Sequence, residues 1–508
     1  MASKSTGELS NPMADDVLSL LSRLGLNSAL WIDGAWDEGG DEEIAVQDPA
    51  TGSEVATVPL AGPGDFRRSV DGAQNAFESW RNEPGSVRGD VLKRAAALMA
   101  GRRRDLAEIL TREQGKPLAQ ALGEVDYAAS FFQWFGEEAR RPSGRVQPHP
   151  QAGREFQVRH VPAGVAGLIT PWNFPIAQGS KKIAAALAAG CAAVWKPSEL
   201  TPLVGMALGP LLKEAGLPDG LLQILPALGP VAGQAFASDP RIRVISVTGS
   251  TGTGRSVMQA ASRHLPRLSL ELGGNGPFIV LPDADLDATA TDLVKLKLLC
   301  SGQVCVTANR VFVPAPLEAP LAERLKELWG RQRVGNGLTP GVDAGPLIHR
   351  KACERVRALV DEALAAGAEV LCENRSHDED TALAKGSFYA PVILRGVRDE
   401  MRMAQEEIFG PVLPLLRYTD LGDAVRRANA TPYGLAGYVY GRNLELANSV
   451  AAAMECGIIG VNEWRPLRAE IPFGGMKESG IGSEGGEEGL REFCETKVIA
   501  TGRPGTPA

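Results

Sequence analysis

The chain runs to 508 residues, more than one ordinary hydrophobic core sustains, so two or three domains are expected. Apolar residues make up 44% and charged residues 22%, the balance of a soluble globular protein, and no segment approaches the roughly 18 apolar residues of a membrane span. A net charge of −8 speaks against general affinity for nucleic acid or anionic membranes.

Seven scattered cysteines include no Cys-x-x-Cys pair, which reads as a reduced cytoplasmic protein and not as a disulfide framework. Five histidines, none spaced as ligands, give no metal site. Asp15 and Asp16 precede a short apolar pattern (Val17, Leu18, Leu20, Leu21, Leu24) without the basic start and long apolar run of a signal peptide. Residues 1–27 therefore read as an N-terminal extension, partly disordered, with one short helix.

Beyond it, strand and helix patterns alternate, which implies βαβ units. Val165–Thr170 is an apolar, β-prone run ending at Pro171-Trp-Asn-Phe-Pro175. Lys182–Ala189 follows as an Ala-rich helix, then Ala192–Trp195 as a strand ending at Lys196. Arg243–Val247 is a third strand, leading into Thr248-Gly-Ser-Thr-Gly-Thr-Gly254 and a helix over Arg255–Ala261. In an open parallel sheet, ligands bind where such strands end. A second strand-rich half starts near Glu271, with strands over Gly276–Leu281 and Asn309–Val313 and a helix over Leu286–Leu299. Cys305 thus falls on a loop between a helix end and a strand. Two further segments, Phe156–His160 with its alternating pattern and the β-prone Thr496–Thr501, belong to neither half.

Three residues carry chemistry. A lone cysteine is usually a small buried hydrophobe. Cys305, however, follows Ser301-Gly-Gln-Val304 and stands downstream of Glu271-Leu-Gly-Gly274, which pairs a thiol nucleophile with a carboxylate base. No helix N-terminus lowers the thiol pKa there, so activation must come from neighbouring charge. Asn173 offers a side-chain amide to an oxyanion, with the Cys305 backbone N–H as the second donor. Glu271, beside an apolar strand, is expected to be buried and raised in pKa, as a general base requires. Cys300 is the rival thiol but lacks the Gly-Gln context.

Together these motifs resemble the aldehyde dehydrogenase superfamily, from about Trp31 to Gly502. The resemblance implies an α/β protein with a Rossmann-like cofactor-binding domain (28–144 and 163–270) and an α/β catalytic domain (271–485). It also implies a small β domain of oligomerisation strands with a C-terminal tail (145–162 and 486–508), hence a homodimer or homotetramer. It implies NAD(P)-dependent oxidation of an aldehyde to an acid through a thiohemiacetal and thioester on Cys305. Gly249 and Ser250 would meet the pyrophosphate, and Lys196, Ser198 and Glu199 the adenosine ribose. Glu407 would hold the nicotinamide ribose and Phe409 its ring, while Thr170, Pro171, Trp172 and Leu272 line the cofactor path. Gly229 and Gly233 would permit close helix packing nearby. A carboxylate at Glu199 repels a 2′-phosphate, so NAD is expected, with NADP as the alternative. Asn462 and Pro472–Gly482 resemble the C-terminal signature.

The nearest branch is of the succinate-semialdehyde dehydrogenase type, yet its substrate-facing positions differ here. Lys181 replaces an Arg beyond the motif Asn, Leu299 a second Arg before the nucleophile, and Leu467 a serine. Leu298 and Cys300 replace a Phe and an Asn. The loop Glu463-Trp-Arg-Pro-Leu-Arg468 suggests that Trp464 lines the substrate path while Lys181 or an Arg meets an anion, for a semialdehyde or an aromatic aldehyde. Two other readings stand beside this one. A coenzyme-A-acylating enzyme is disfavoured by Glu271, and a non-catalytic protein of the same fold by the intact Cys305, Glu271 and Asn173.

Overall fold

The computed structural model describes residues 12–502 apart from 41, 142 and 377–382. The helix expected in the extension spans Pro12–Arg23, and residues 1–11 lie outside the described residues. Leu20 and Leu24 are buried in the core beneath the first large sheet. Asp16 pairs with Arg112 at 2.6 Å and Arg23 with Asp105 at 3.0 Å, so this helix is docked on Arg103–Gln114.

The first sheet has eight strands. Its five central ones are parallel, in the order Leu222–Ile224, Ala192–Lys196, Val165–Ile169, Ile242–Thr248, Arg267–Glu271. Val165–Ile169 and Ala192–Lys196 are buried at every residue, as strands covered by helices on both faces must be. The chain builds outward from Val165–Ile169 on one side and from Ile242–Thr248 on the other, so strand order reverses between these neighbours. A crevice opens at such a reversal, beyond the carboxyl ends of the strands. Residues 170–174 and 249–250 stand there.

The helix after the first of these strands is longer than expected, spanning Pro175–Ala189. Pro175 takes the first helical position, where its missing N–H costs nothing and its ring presets φ. Every residue of this helix is buried, Lys181 and Lys182 included. Thr251–Ala261 likewise starts earlier than the Arg255 read from sequence. Ser250 caps it, accepting the Thr253 N–H at 3.2 Å, and Gly252 and Gly254 had hidden that first turn.

The second sheet has seven strands, parallel except at the edge strand Glu369–Glu373. Gly276–Val280 and Ala308–Pro314 are central to it, and Leu286–Leu298 is the helix between them. A third sheet joins Cys494–Gly502, Arg154–Pro162 and Arg145–Pro148 in antiparallel order. The two segments that belonged to neither half are partners in it, with Val498 opposite Val158. The outer edge of Cys494–Gly502 pairs with no other strand among the described residues.

Candidate active site

Asn173 sits in the turn between Val165–Ile169 and Pro175–Ala189, and it is 3% exposed. Its backbone carbonyl accepts the Lys116 ammonium at 2.7 Å. Lys116 is itself buried, ion-paired to Glu124 and 3.9 Å from the Phe174 ring centroid. The turn is thereby pinned by a buried charge. The Asn173 side chain donates one Nδ2 hydrogen to the Gln303 carbonyl at 3.0 Å, and the other has no acceptor among the described residues.

Cys305 follows a tight turn, Leu299–Gly302, in which Cys300 (φ 48°) and Ser301 (φ 54°) both adopt left-handed backbone. Such residues cost about 1–3 kcal/mol each and persist only where the surroundings hold them. Here Gln120 Oε1 accepts the Cys300 N–H at 2.8 Å, and Ser301 donates to the Gly345 carbonyl at 2.7 Å. Gly302 is required, because a Cβ there would stand 2.1 Å from the Gly410 carbonyl oxygen. Gly274 is required on the other side, where a Cβ would stand 2.5 Å from the Cys305 carbonyl oxygen. The Glu271-Leu-Gly-Gly274 turn and the Cys305 loop therefore touch backbone to backbone.

Glu271 ends the strand Arg267–Glu271, is 1% exposed, and has no hydrogen-bond partner on either oxygen among the described residues. Burial, reinforced by Glu484, holds its carboxyl well above the ordinary carboxylate range, against the pull of Lys181 and Lys182. Cys305 is partly open to the cavities beside it, yet desolvation, with Glu407 and Glu271 adding, pushes its thiol up to about 12.

Two cavities meet at Cys305. The larger, about 530 Å³, is lined by Pro171, Trp172, Asn173, Gly249, Ser250, Leu272, Glu407 and Phe409. The other is lined by Tyr127, Phe174, Lys181, Trp464, Arg465, Leu467 and Phe473, and Gln178 and Cys305 face both. Phe409 has left-handed backbone (φ 54°) and meets Trp172 edge-on at 5.5 Å. Arg355 secures that segment by donating to the Glu407 and Ile408 carbonyls at 2.6 and 2.7 Å. Desolvation pushes the Glu407 carboxyl up to about 7.

Other predicted residues stand apart from these cavities. Lys196 pairs with Glu199 at 2.5 Å, and Ser198 accepts the Leu200 N–H at 3.3 Å. Thr170 points inward, accepting the Trp195 indole N–H at 3.0 Å. Gly229 and Gly233 lie on the helix Gly229–Ser238, which packs beside Thr251–Ala261. A Cβ at Gly229 meets nothing within 4 Å, and one at Gly233 only Val257 at 3.9 Å, so space lies beside the helix Gly229–Ser238 there.

Lys181 differs from expectation. Its ammonium is ion-paired with Glu484, which Lys182 shares, and lies 4.3 Å from the Phe473 ring centroid. Burial opposes the Lys181 charge, but Glu484 outweighs it and holds the pKa above the ordinary lysine value. Sequence reasoning missed Glu484, Gln178, Lys116 and Glu124. Two adjacent lysines in an otherwise Ala-rich buried helix were the available signal, since each needs a counter-charge.

The aldehyde dehydrogenase family model matches residues 36–499. The chain is 40% identical over 472 residues to succinate-semialdehyde dehydrogenase [NADP(+)] of Escherichia coli, covering 93% of this chain and 97% of that one. It is 40% identical over 480 residues to 3-sulfolactaldehyde dehydrogenase of Pseudomonas putida, with 94% and 97% covered. Among solved structures, betaine aldehyde dehydrogenase of Staphylococcus aureus in complex with NAD+ superposes with a TM-score of 0.93 at 31% identity, over 97% of this chain and 98% of that one. The chain belongs to the aldehyde dehydrogenase family. It is an NAD(P)-dependent oxidoreductase acting on the aldehyde group.

Proposed function

We propose that this chain oxidises a short aldehyde with an anionic far end, a semialdehyde, to the free acid through a covalent adduct on Cys305. The observation that carries the reading is the meeting of two cavities at Cys305, with Asn173 in the wall of the larger one and the Glu271 carboxyl close enough for its charge to act on the thiol. Cys305 sulfur bonds to the aldehyde carbon as its proton passes to solvent. The carbonyl oxygen becomes an oxyanion, held by the second Nδ2 hydrogen of Asn173 and the Cys305 backbone N–H. One such donor accounts for roughly 10²–10³ in rate. Loss of hydride from that carbon leaves a thioester. Glu271 then takes a proton from water, the water oxygen attacks the thioester carbon, and the C–S bond breaks to release acid and restore the thiol.

Bound NAD(P) supplies the hydride acceptor, and the residues present fit it. Ser250 and Gly249 at a helix start suit the pyrophosphate, Lys196, Ser198 and Glu199 the adenosine ribose, and Glu407 and Phe409 the nicotinamide half. Pro171, Trp172 and Leu272 line the same cavity. Open space at Gly229 and Gly233 suits a ligand beside that helix.

Lys181 and Arg465 are the charged residues lining the second cavity. Lys181 is spent on Glu484, whereas the Arg465 guanidinium has no carboxylate partner among the described residues. Arg465 is therefore the residue that meets the substrate's anion, and Lys181 is structural. The test is NAD(P)H formation with succinic and glutaric semialdehydes against butanal and pentanal. R465Q is expected to erase the advantage of the acids, by roughly 10²-fold in kcat/KM, a loss in keeping with a charged hydrogen bond. An unchanged ratio would reject Arg465. Coenzyme A dependence of the product would reject hydrolysis.

The same reading divides the chain into cofactor, catalytic and oligomerisation regions at the boundaries given above. The one-sided pairing of Cys494–Gly502 supports a homo-oligomer in which a second copy covers that edge. Seven free cysteines support a reducing, cytoplasmic setting, and no helix among the described residues is long and apolar enough to cross a membrane.

A further inference from the structure

Gln178 lies in the first turn of Pro175–Ala189, with its N–H bonded to the Phe174 carbonyl at 2.9 Å. Its side chain is 8% exposed and faces both cavities, as Cys305 does. Gln178 Oε1 is buried and receives no hydrogen bond from any described residue. A buried acceptor left in this state is unfavourable, and several of the nearby donors are already engaged. Lys181 is taken by Glu484, Lys116 by Glu124 and the Asn173 carbonyl, and one Asn173 hydrogen by Gln303. The other walls of the second cavity are largely apolar or aromatic, and the remaining donors among them, on Tyr127, Trp464 and Arg465, make no hydrogen bond to Oε1. A ligand entering the cavity can supply the donor that Oε1 lacks.

An aldehyde carbonyl cannot supply it, because that oxygen only accepts. The donor has to stand elsewhere on the substrate, close to the reacting carbon, since Gln178 borders the same two cavities as the nucleophile. An ammonium group is disfavoured, because both charged residues lining the second cavity are cations. A hydroxyl fits both ends of the carboxamide: its hydrogen goes to Oε1 and its oxygen accepts from Nε2.

We infer that Gln178 reads a hydroxyl on the carbon next to the aldehyde, so that the substrate class is the 2-hydroxyaldehyde with an anionic far end. This rests on the dehydrogenase reading above.

Lactaldehyde and propanal differ only by that hydroxyl. The wild-type enzyme is expected to favour lactaldehyde, as the better enantiomer and corrected for hydration, by tenfold or more in kcat/KM. A site built to bond a hydroxyl discriminates strongly against its absence. In Q178M, which keeps the volume and removes both polar atoms, the ratio is expected to fall to about one. Lactate, as the product, is expected to protect Cys305 from iodoacetamide better than propionate in wild type, and no better in Q178M. Activity on propanal without preference for lactaldehyde in the wild type, where no variant's folding is at issue, overturns this inference alone. So does an unchanged ratio in a folded Q178M. Silence of the wild type toward every aldehyde, semialdehydes included, overturns the dehydrogenase reading and this inference with it.

Discussion

The Lys116 ammonium holds the backbone carbonyl of Asn173 at 2.7 Å from inside the core. The oxyanion donor is therefore positioned by a charge that never touches substrate. Lys116 and Glu124 are each 2% exposed, so either one alone would be an uncompensated buried ion.

K116M is expected to destabilise the fold by roughly 3–5 kcal/mol, the usual cost of breaking a buried pair from one side. K116M/E124M, which removes both charges, should regain much of that stability in urea titrations. It should not regain kcat, because the Asn173 turn has lost its anchor. Recovery of both together would mean that Lys116 serves stability alone.

The chemistry-bearing residues were legible in the sequence because each is embedded in a turn with few ways to fold. Gly274 and Gly302 are dictated by backbone contacts at 2.5 and 2.1 Å, so the segments around Glu271 and Cys305 carry a glycine signal. Strand positions were legible for the same kind of reason: Val165–Ile169 and Ala192–Trp195 are continuous apolar runs of strand length. Long-range partners were not legible. Glu484 lies 302 positions beyond Lys182, and nothing local distinguishes it from a solvated glutamate in a glycine-rich loop. Gln178 was hidden differently, since a glutamine in a helix is ordinary until its carboxamide is found buried without a donor.

With no helix N-terminus or cation dominating its surroundings, the Cys305 thiol is pushed up to about 12, mainly by desolvation. In the free enzyme the thiolate fraction at neutral pH is then minute. The iodoacetamide inactivation rate should climb about tenfold per pH unit from pH 7 to 10 without levelling, because the thiolate is the reacting form. A plateau near pH 8 would mean that a neighbouring charge already stabilises the thiolate. The competing thiol, Cys300, is 1% exposed and accepts a bond from Gln114 Nε2 at 3.1 Å, so it should stay unlabelled in the native protein.

Glu484 connects the two buried lysines to the base. Burial alone would raise its carboxyl, but Lys181 and Lys182 more than reverse this and hold it below the ordinary carboxylate range. Its stabilising contribution is therefore fully present above the unfolded value of about 4.3 and is lost as pH falls through the lower folded value. E484Q should cost several kcal/mol at pH 7, since it leaves two adjacent ammonium groups buried without a counter-charge. The gap to wild type should begin to narrow as pH falls below about 4.3 and should close only below the lower folded value, where Glu484 is also neutral. The same substitution should act on catalysis through Glu271, whose carboxyl is raised first by burial and then by the Glu484 charge. Without that charge Glu271 ionises more readily, so the rising limb of the pH profile for thioester hydrolysis should move to lower pH. Single-turnover hydrolysis of the acyl-enzyme across pH measures this directly. A limb that stays in place while stability falls would confine Glu484 to holding the two lysines.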